Sequence, residues 1–335
     1  MSRISISVIA LAAVFFTALS ASAQTLKLAT MAPEGSPWYD LLVDLGQSWK
    51  AASGGTTTLH IYPGGVAGDE SDIIRKMRIG QIQAAALSGH GLSEITPEIQ
   101  ALQMPMMFSS YEELDCVRDR LAPELEALTE AHGFKILNWS DAGWVHFFTQ
   151  AMVVRPQDMK PLKIFTWEGD PTYLEAMKAM GYRPVALAAT DMYAGLQSGL
   201  INAFPTTPIL ALSYQWFGLA KHMTDLRWAP LLGATVMSAS AWQSVPDELK
   251  PVFARTARDI ADHSRAKIRS LEDDAIAAMK THGLIVHAVP PDAIAEWEAV
   301  ARAGYGKVIG KAVPAPMIAE VEKVRDACRI AKKQN

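Results

Sequence analysis

The stretch from Val153 to Pro208 reads VVRPQDMKPLKIFTWEGDPTYLEAMKAMGYRPVALAATDMYAGLQSGLINAFPTTP. Its apolar runs predict three short strands, at residues 162–165, 184–187 and 201–204. Between them, residues 172–180 place apolar side chains on one helical face. A second helix can begin at a Thr190 or Asp191 cap and end at Gly199. Strands that alternate with helices are typical of an α/β domain with a parallel sheet, so the sequence predicts an α/β fold.

The same alternation continues on both sides of this stretch. Further strands are predicted at 26–30, 56–62, 82–88, 134–139, 145–149, 231–238 and 284–289. Helices are predicted at 38–52, 69–79 and 111–131, with two shorter ones at the C-terminus. Residues 246–282 keep one helical face apolar throughout. Roughly 36 residues at 1.5 Å each would span about 54 Å, which is more than a single domain usually needs.

Composition narrows the class of protein. The chain has 335 residues, of which 50% are apolar and 20% are charged, as expected for a globular protein with one or two large cores. The formal net charge of −4 and the lack of a Lys/Arg-rich block argue against a nucleic-acid partner.

The N-terminus has the pattern of a secretory signal. Arg3 precedes an apolar run over residues 4–19, and Ala21-Ser22-Ala23 offers a small-residue cleavage site before Gln24. We therefore expect residues 1–23 to be a cleaved signal peptide and the mature protein to be periplasmic.

The stretch from Val153 to Pro208 also resembles a known family. The text RPQDMKPLKI, followed by AMKAMGYRPVAL and DMYAGLQSGLINA, is similar to DctP-type substrate-binding proteins of tripartite ATP-independent periplasmic (TRAP) transporters. The matching positions are Pro156, Asp158, Lys163, Ile164, Gly181, Pro184, Tyr193, Leu196, Gln197 and Gly199. The similarity runs from Leu26 to the C-terminal helices.

The resemblance implies a two-lobed periplasmic binding protein fold, with strands that cross between the lobes and a long helix that spans both. Lobe I would cover 24–146 with parts of 236–335, lobe II 147–235, and the long helix 246–283. It also implies a protein that captures a small molecule and delivers it to a small and a large TRAP membrane subunit. Such a protein is not an enzyme and needs no cofactor or metal.

Two positions depart from the family text. The family usually has an arginine after Lys-Ile, assigned to the ligand carboxylate, and a second one in a Gly-x-Arg strand. This chain has Phe165 and Val145 there. Neither side chain can replace the charged, bidentate fork of arginine. We therefore expect an apolar or aromatic ligand, as in a subgroup without the arginine, some members of which have a tetratricopeptide-repeat partner.

The expected ligand-binding residues combine rings and polar groups near the predicted cleft. They are Trp38, His90, Asp141, Trp144, Phe165, Trp167, Glu168, Tyr193, Phe204, Thr206 and Trp216. Two other ligand classes stay open. An amine could bind to Trp167, Glu168 and Asp170, because aromatic faces and carboxylates attract ammonium groups. An organic acid could use Lys163 or Arg155.

Catalytic and metal motifs do not occur in the sequence. It has no Gly-x-Ser-x-Gly, His-Glu-x-x-His or Cys-x-x-Cys, although acids and bases that meet only in the fold leave an enzyme as an alternative. The two cysteines, Cys116 and Cys328, could pair in an oxidising periplasm, but sequence alone leaves their proximity open.

Overall fold

The structure, a computed structural model, describes residues 24–168 and 170–334. The strands are β1 Gln24–Thr30, β2 Thr57–Tyr62, β3 Ala84–Ser88, β4 Phe134–Thr149, β5 Lys163–Trp167, β6 Arg183–Leu187, β7 Ala203–Thr206, β8 His222–Ser238 and β9 Ile285–Ala288. The helices are α1 Pro37–Ala52, α2 Glu70–Arg78, α3 Gly89–Ile95, α4 Tyr111–Ala131, α5 Pro156–Met159, α6 Pro171–Ala179, α7 Met192–Gln197, α8 Pro208–Ser213, α9 Ala239–Ser244, α10 Lys250–Thr281, α11 Pro291–Val308 and α12 Ala315–Gln334. The predicted signal peptide lies outside the described residues.

The strands form one mixed sheet in the order β2-β1-β3-β8-β4-β7-β5-β6, and β9 pairs with β8. The long strands β4 and β8 run antiparallel through its middle. Strand β3 pairs with one end of β8, at Gly233–Met237, whereas β7 pairs with the opposite end of the β4–β8 ribbon, at His146–Thr149. Two α/β lobes therefore share a pair of crossover strands, and the predicted fold class is confirmed.

Strand β4 is longer than the sequence suggests. Two strands were predicted, at 134–139 and 145–149, and the structure joins them into one. The ladder with β8 shifts register between Asp141 and Trp144, where Gly143 has φ +99°. A positive φ strains any residue with a Cβ, so glycine lets the strand continue through this bulge. The bulge thus lets β4 run as a single strand beside β8.

Helix α10 packs on both lobes. At its start, Phe253 stacks on Trp49 of α1 with ring centroids 4.6 Å apart. At its end, Met279 belongs to the same apolar cluster as Phe148 and Phe204 of the second lobe. The helix begins at Lys250 rather than near residue 246, because residues 246–249 form a turn. No described helix has both the length and the apolar character needed to cross a bilayer.

The two cysteines form a disulfide between α4 and α12. Cys116 and Cys328 have Cα atoms 6.3 Å apart and a sequence separation of 212 residues. A bond that closes so long a loop restricts the unfolded chain. We expect the double variant Cys116→Ala/Cys328→Ala to lose about 2 to 4 kcal/mol in free energy of unfolding, measured by urea denaturation. A reductant that leaves the wild-type midpoint unchanged would contradict this expectation.

Candidate functional site

A cavity of 340 Å³ lies between the lobes, beside the irregular centres of β4 and β8. Thr30, Ser88 and Trp167 line it at the carboxyl ends of β1, β3 and β5. Parallel sheets place ligands at this edge of their strands. The volume falls within the range of roughly 300 to 1,000 Å³ that is usual for small-molecule sites. This cavity is therefore the candidate binding site.

Trp38 is held at the first-lobe wall. The Ser36 hydroxyl caps α1 by accepting a hydrogen bond from the backbone N–H of Tyr39 at 3.3 Å. The indole N–H of Trp38 donates to the backbone carbonyl of Asp141 at 2.9 Å. Because Asp141 lies on β4, this bond fixes the ring beside the crossover.

A ring stack joins the lobes. His90 of α3 and Trp167 of β5 have centroids 4.4 Å apart and planes 12° apart. Burial opposes protonation of His90, but a hydrogen bond with Glu94 and the charges of Glu70, Glu94 and Asp170 raise its pKa above 6.5. The positive charge of a protonated His90 is thus already matched by carboxylates of the protein.

Glu70 builds the turn that carries His90. Its carboxylate accepts hydrogen bonds from the backbone N–H and the hydroxyl of Ser88, each at 2.6 Å, and from the Gly91 N–H at 2.9 Å. Burial raises the pKa of Glu70 despite these bonds. A Cβ at Gly91 would lie 2.8 Å from a Glu70 oxygen, so only glycine fits beside it. Both carboxylate oxygens of Glu70 therefore accept hydrogen bonds from the protein itself.

Aromatic rings form the second-lobe wall. Phe165 meets Trp167 edge to face, with centroids 5.4 Å apart, and Tyr214 stacks on Trp216 at 4.4 Å. The Tyr214 hydroxyl donates across the cleft to the backbone carbonyl of Met31. Burial raises the pKa of Tyr214, so it remains a neutral phenol. This wall offers large apolar faces and few polar atoms.

The cavity wall lacks a strongly basic side chain. Among the described residues, neither arginine nor lysine lines it, and Val145 and Phe165 both do. Arg118 and Arg269 pair instead with the carboxylate of Asp141, with N–O distances of 3.5 and 2.5 Å. These guanidinium groups are used in binding α4 and α10 to β4.

A buried polar network supports the crossover behind the cavity. Glu272 of α10 accepts hydrogen bonds from the Tyr111 hydroxyl at 3.0 Å and the Trp144 backbone N–H at 3.4 Å. Its other oxygen lies 3.2 Å from Nε2 of His146. Burial alone would raise the pKa of Glu272, but His146 and the other donors hold it below 4.5. The network fixes the bulge to the long helix.

Acid is expected to weaken the fold through these carboxylates. The pKa values of Glu272 and Asp115 lie below 4.5 and 3.8, because His146 and Arg269 outweigh burial. The stability that the ionised groups contribute is therefore fully present above those values and is lost as the pH falls below them. We expect the free energy of unfolding, measured with urea, to decline as the pH falls below about 4.5. A flat profile down to roughly pH 3 would contradict this.

The structure brings seven of the eleven expected residues to the cavity. They are Trp38, His90, Asp141, Phe165, Trp167, Thr206 and Trp216. Trp144 is buried against Tyr111, and Phe204 is buried against Phe148. Tyr193 lies on α7 and is 49% exposed. Glu168 is exposed just after β5. These four residues do not line the cavity.

Other lining residues were not predicted. Trp228 lies in the first half of β8, where no strand was predicted. Trp297 and Tyr305 belong to α11, and Met177 belongs to α6. For the residues on α6 and α11, the only signal in the sequence is an apolar stripe at helical spacing, which is also the pattern of an ordinary core helix.

Comparison with known proteins agrees with this architecture. A TRAP periplasmic solute binding protein from Pseudomonas putida F1, solved with bound D-glucuronate, has a TM-score of 0.81 at 24% identity and covers 91% of this chain and 97% of its own. A TRAP periplasmic solute binding protein from Sulfurospirillum deleyianum, solved with bound succinate, has a TM-score of 0.82 at 19% identity. The match covers 90% of this chain and 99% of that protein.

Sequence comparison gives the family. The 2,3-diketo-L-gulonate-binding periplasmic protein YiaO of Escherichia coli is 24% identical over 69% of this chain and 71% of its own length. The C4-dicarboxylate-binding periplasmic protein DctP of Rhodobacter capsulatus is 22% identical over 73% of this chain and 74% of its own length. The model of the DctP family, bacterial extracellular solute-binding protein family 7, matches residues 28–311. The chain therefore belongs to the DctP family of bacterial extracellular solute-binding proteins.

Proposed function

We propose that this protein binds a small solute with an apolar or aromatic body and no carboxylate anchor, and delivers it to the small and large TRAP membrane subunits. One observation carries the proposal: aromatic and aliphatic side chains form most of the cavity wall, and no arginine or lysine of the described residues lines it. The relatives named above bind glucuronate, succinate and other acids, so the proposal rests on this wall rather than on them.

A buried carboxylate ligand would find little support in this site. Asp170 lines the cavity, and the positive charge of a protonated His90 is already matched by Glu70, Glu94 and Asp170. Removing an anion from water costs several kcal/mol unless a charge partner and hydrogen bonds replace the lost hydration. An apolar body has no such requirement and gains roughly 25 cal/mol for each Å² that it buries.

The proposed mechanism is capture by lobe closure, with the lobe boundary near residues 146 and 147. Besides the His90–Trp167 stack, the Asp69 carboxylate accepts a hydrogen bond from the Ala189 backbone N–H at 3.0 Å. These contacts close the cleft, and a ligand that touches both walls would shift the population toward the closed form. The protein would carry out no chemistry.

The proposed function also implies a cellular compartment and partner proteins. We expect residues 1–23 to direct export to the periplasm and then to be removed. A tetratricopeptide-repeat protein is a further candidate partner, because the subgroup without the arginine includes proteins with such a partner. Mass analysis of the mature protein tests the cleavage before Gln24, and purification from the periplasm tests the partner.

Three probes with one ring and different heads test the ligand class. Phenylethanol, phenylethylamine and phenylacetate share a phenyl body and differ in carrying a neutral, a cationic or an anionic head. We expect thermal-shift and calorimetric measurements to show binding of the neutral probe and none of phenylacetate or succinate. Binding of the two acids without binding of phenylethanol would overturn the proposal.

An amine is the second candidate ligand. The face of Trp167 and the carboxylate of Asp170 both line the cavity, and both attract ammonium groups. Glu168, which the sequence added to this group, is exposed and does not line the cavity. If phenylethylamine binds at least tenfold more tightly than phenylethanol, the amine becomes the preferred class.

A further inference from the structure

Helix α11 contributes a long stretch of the cavity wall. One face of this helix lines it, through Trp297, Val300, Ala301, Gly304, Tyr305 and Val308. These positions follow the spacing of a single helical stripe. At 1.5 Å per residue, the stripe from Trp297 to Val308 is about 16 Å long. The wall is thus elongated, whereas a compact solute between the lobes would need only a short one.

Helix α6 supplies a facing wall of adaptable side chains. Ala176, Met177 and Met180 line the same cavity. A Cβ placed at Gly304 would lie 3.4 Å from the Met180 sulfur, so α6 and α11 approach each other at this glycine. Methionine side chains are unbranched and flexible and adapt to apolar ligands of varied shape. We call the part of the cavity that is lined by these α6 side chains and by the α11 stripe the tail compartment.

Two polar groups of the α11 stripe are already hydrogen-bonded within the protein. The Trp297 indole N–H donates to the Val154 carbonyl at 2.9 Å, and the Tyr305 hydroxyl donates to the Pro105 carbonyl at 2.7 Å. Burial raises the pKa of Tyr173, which also lines the cavity, to about 12 and keeps it neutral. A ligand group beside Trp297 and Tyr305 therefore meets ring carbon rather than free hydrogen-bond donors.

We propose that the tail compartment binds a linear aliphatic chain, and that the ligand is an elongated amphiphile whose uncharged head lies in the cleft. This inference rests on the proposed function and specifies its ligand class. Ser88, His90 and Thr206 provide polar atoms on the cleft side, where the head would lie. Fatty acids are disfavoured, because their carboxylate would lie beside Glu70 and Asp170.

A series of alkanols measures the length of the compartment. Butanol, hexanol, octanol and decanol share a hydroxyl head and differ only in chain length. We expect calorimetry on the mature protein to show a Kd that falls about three- to fourfold for each added methylene, the value for full burial of a CH₂. An alkanol series with no dependence on length would overturn the inference, without the need for a variant.

Two glycines of α11 provide a matched pair of variants. Gly304→Leu adds a side chain where Met180 packs and so displaces Met180 into the tail compartment, whereas Gly306 is exposed and a Cβ there meets nothing within 4 Å. We expect Gly304→Leu to remove the dependence on chain length and Gly306→Leu to keep it, while phenylethanol binds both variants. If Gly304→Leu keeps the full dependence, the compartment is not where the chain lies. If succinate binds and neither alcohol does, the proposed function fails as well.

Discussion

A Phe165→Arg variant is expected to lose affinity for phenylethanol by roughly 100-fold or more. Phe165 lines the cavity, is only 4% exposed and packs edge to face on Trp167. The substitution removes an apolar face from the ligand and places a permanent charge in the wall, where an apolar body cannot solvate it. The same guanidinium offers carboxylates a bidentate partner, so binding of phenylacetate is expected to appear. Calorimetry with phenylethanol and phenylacetate measures the loss of one affinity and the gain of the other.

The control for this experiment is Phe165→Leu. Leucine keeps the position apolar and removes only part of the ring surface, so phenylethanol should bind within about tenfold of the wild-type affinity. Circular dichroism of both variants establishes that they are folded. If Phe165→Arg binds phenylethanol as tightly as the leucine variant does, this position has no part in selecting the ligand.

Removal of the Glu272 carboxylate should destabilise the protein by about 3 to 5 kcal/mol, the cost of leaving buried partners without their charge. In a Glu272→Ala variant, the Tyr111 hydroxyl and the Trp144 backbone N–H lose their acceptor. His146 loses the oxygen that faces its Nε2 atom. Each buried donor left unpaired costs about 1 to 3 kcal/mol. Urea denaturation measures the loss.

Asp273 of the same helix is the matched control, because its side chain is exposed. Asp273→Ala should change the free energy of unfolding by no more than about 0.5 kcal/mol. A loss below about 1 kcal/mol in Glu272→Ala would show that water replaces the carboxylate and that the network does not hold the crossover.

Local patterns predicted most of the fold. Between Val153 and Pro208, apolar runs bounded by glycine and proline predicted three strands, and β5, β6 and β7 lie within a few residues of them. The middle of β4 was not predicted as strand, because Ser140, Asp141 and Gly143 have the composition of a loop. Pairing with β8 and the bulge at Gly143 carry the strand through, and such long-range pairing leaves little trace in a local pattern.

Seven of the residues expected at the site line the candidate cavity, several of them at or just after the ends of strands. Trp167 and His90 follow strands of different lobes, and the fold brings their rings together. The contribution of α11 could not be foreseen, since Trp297 and Tyr305 have the spacing of a core stripe. Trp144 and Phe204 were expected at the site because they lie on strands beside the cleft. Their side chains pack away from the cavity, against Tyr111 and Phe148. Which face of an element meets a cavity depends on tertiary packing.

Native mass spectrometry of the purified protein, followed by release and identification of any bound molecule, tests the central claim most directly. Protein stripped of ligand by unfolding and refolding serves as the reference. We expect a released molecule with a largely hydrocarbon body and no carboxylate, and the same molecule should raise the Tm of the stripped protein. A bound dicarboxylate or sugar acid that restores the Tm would contradict it.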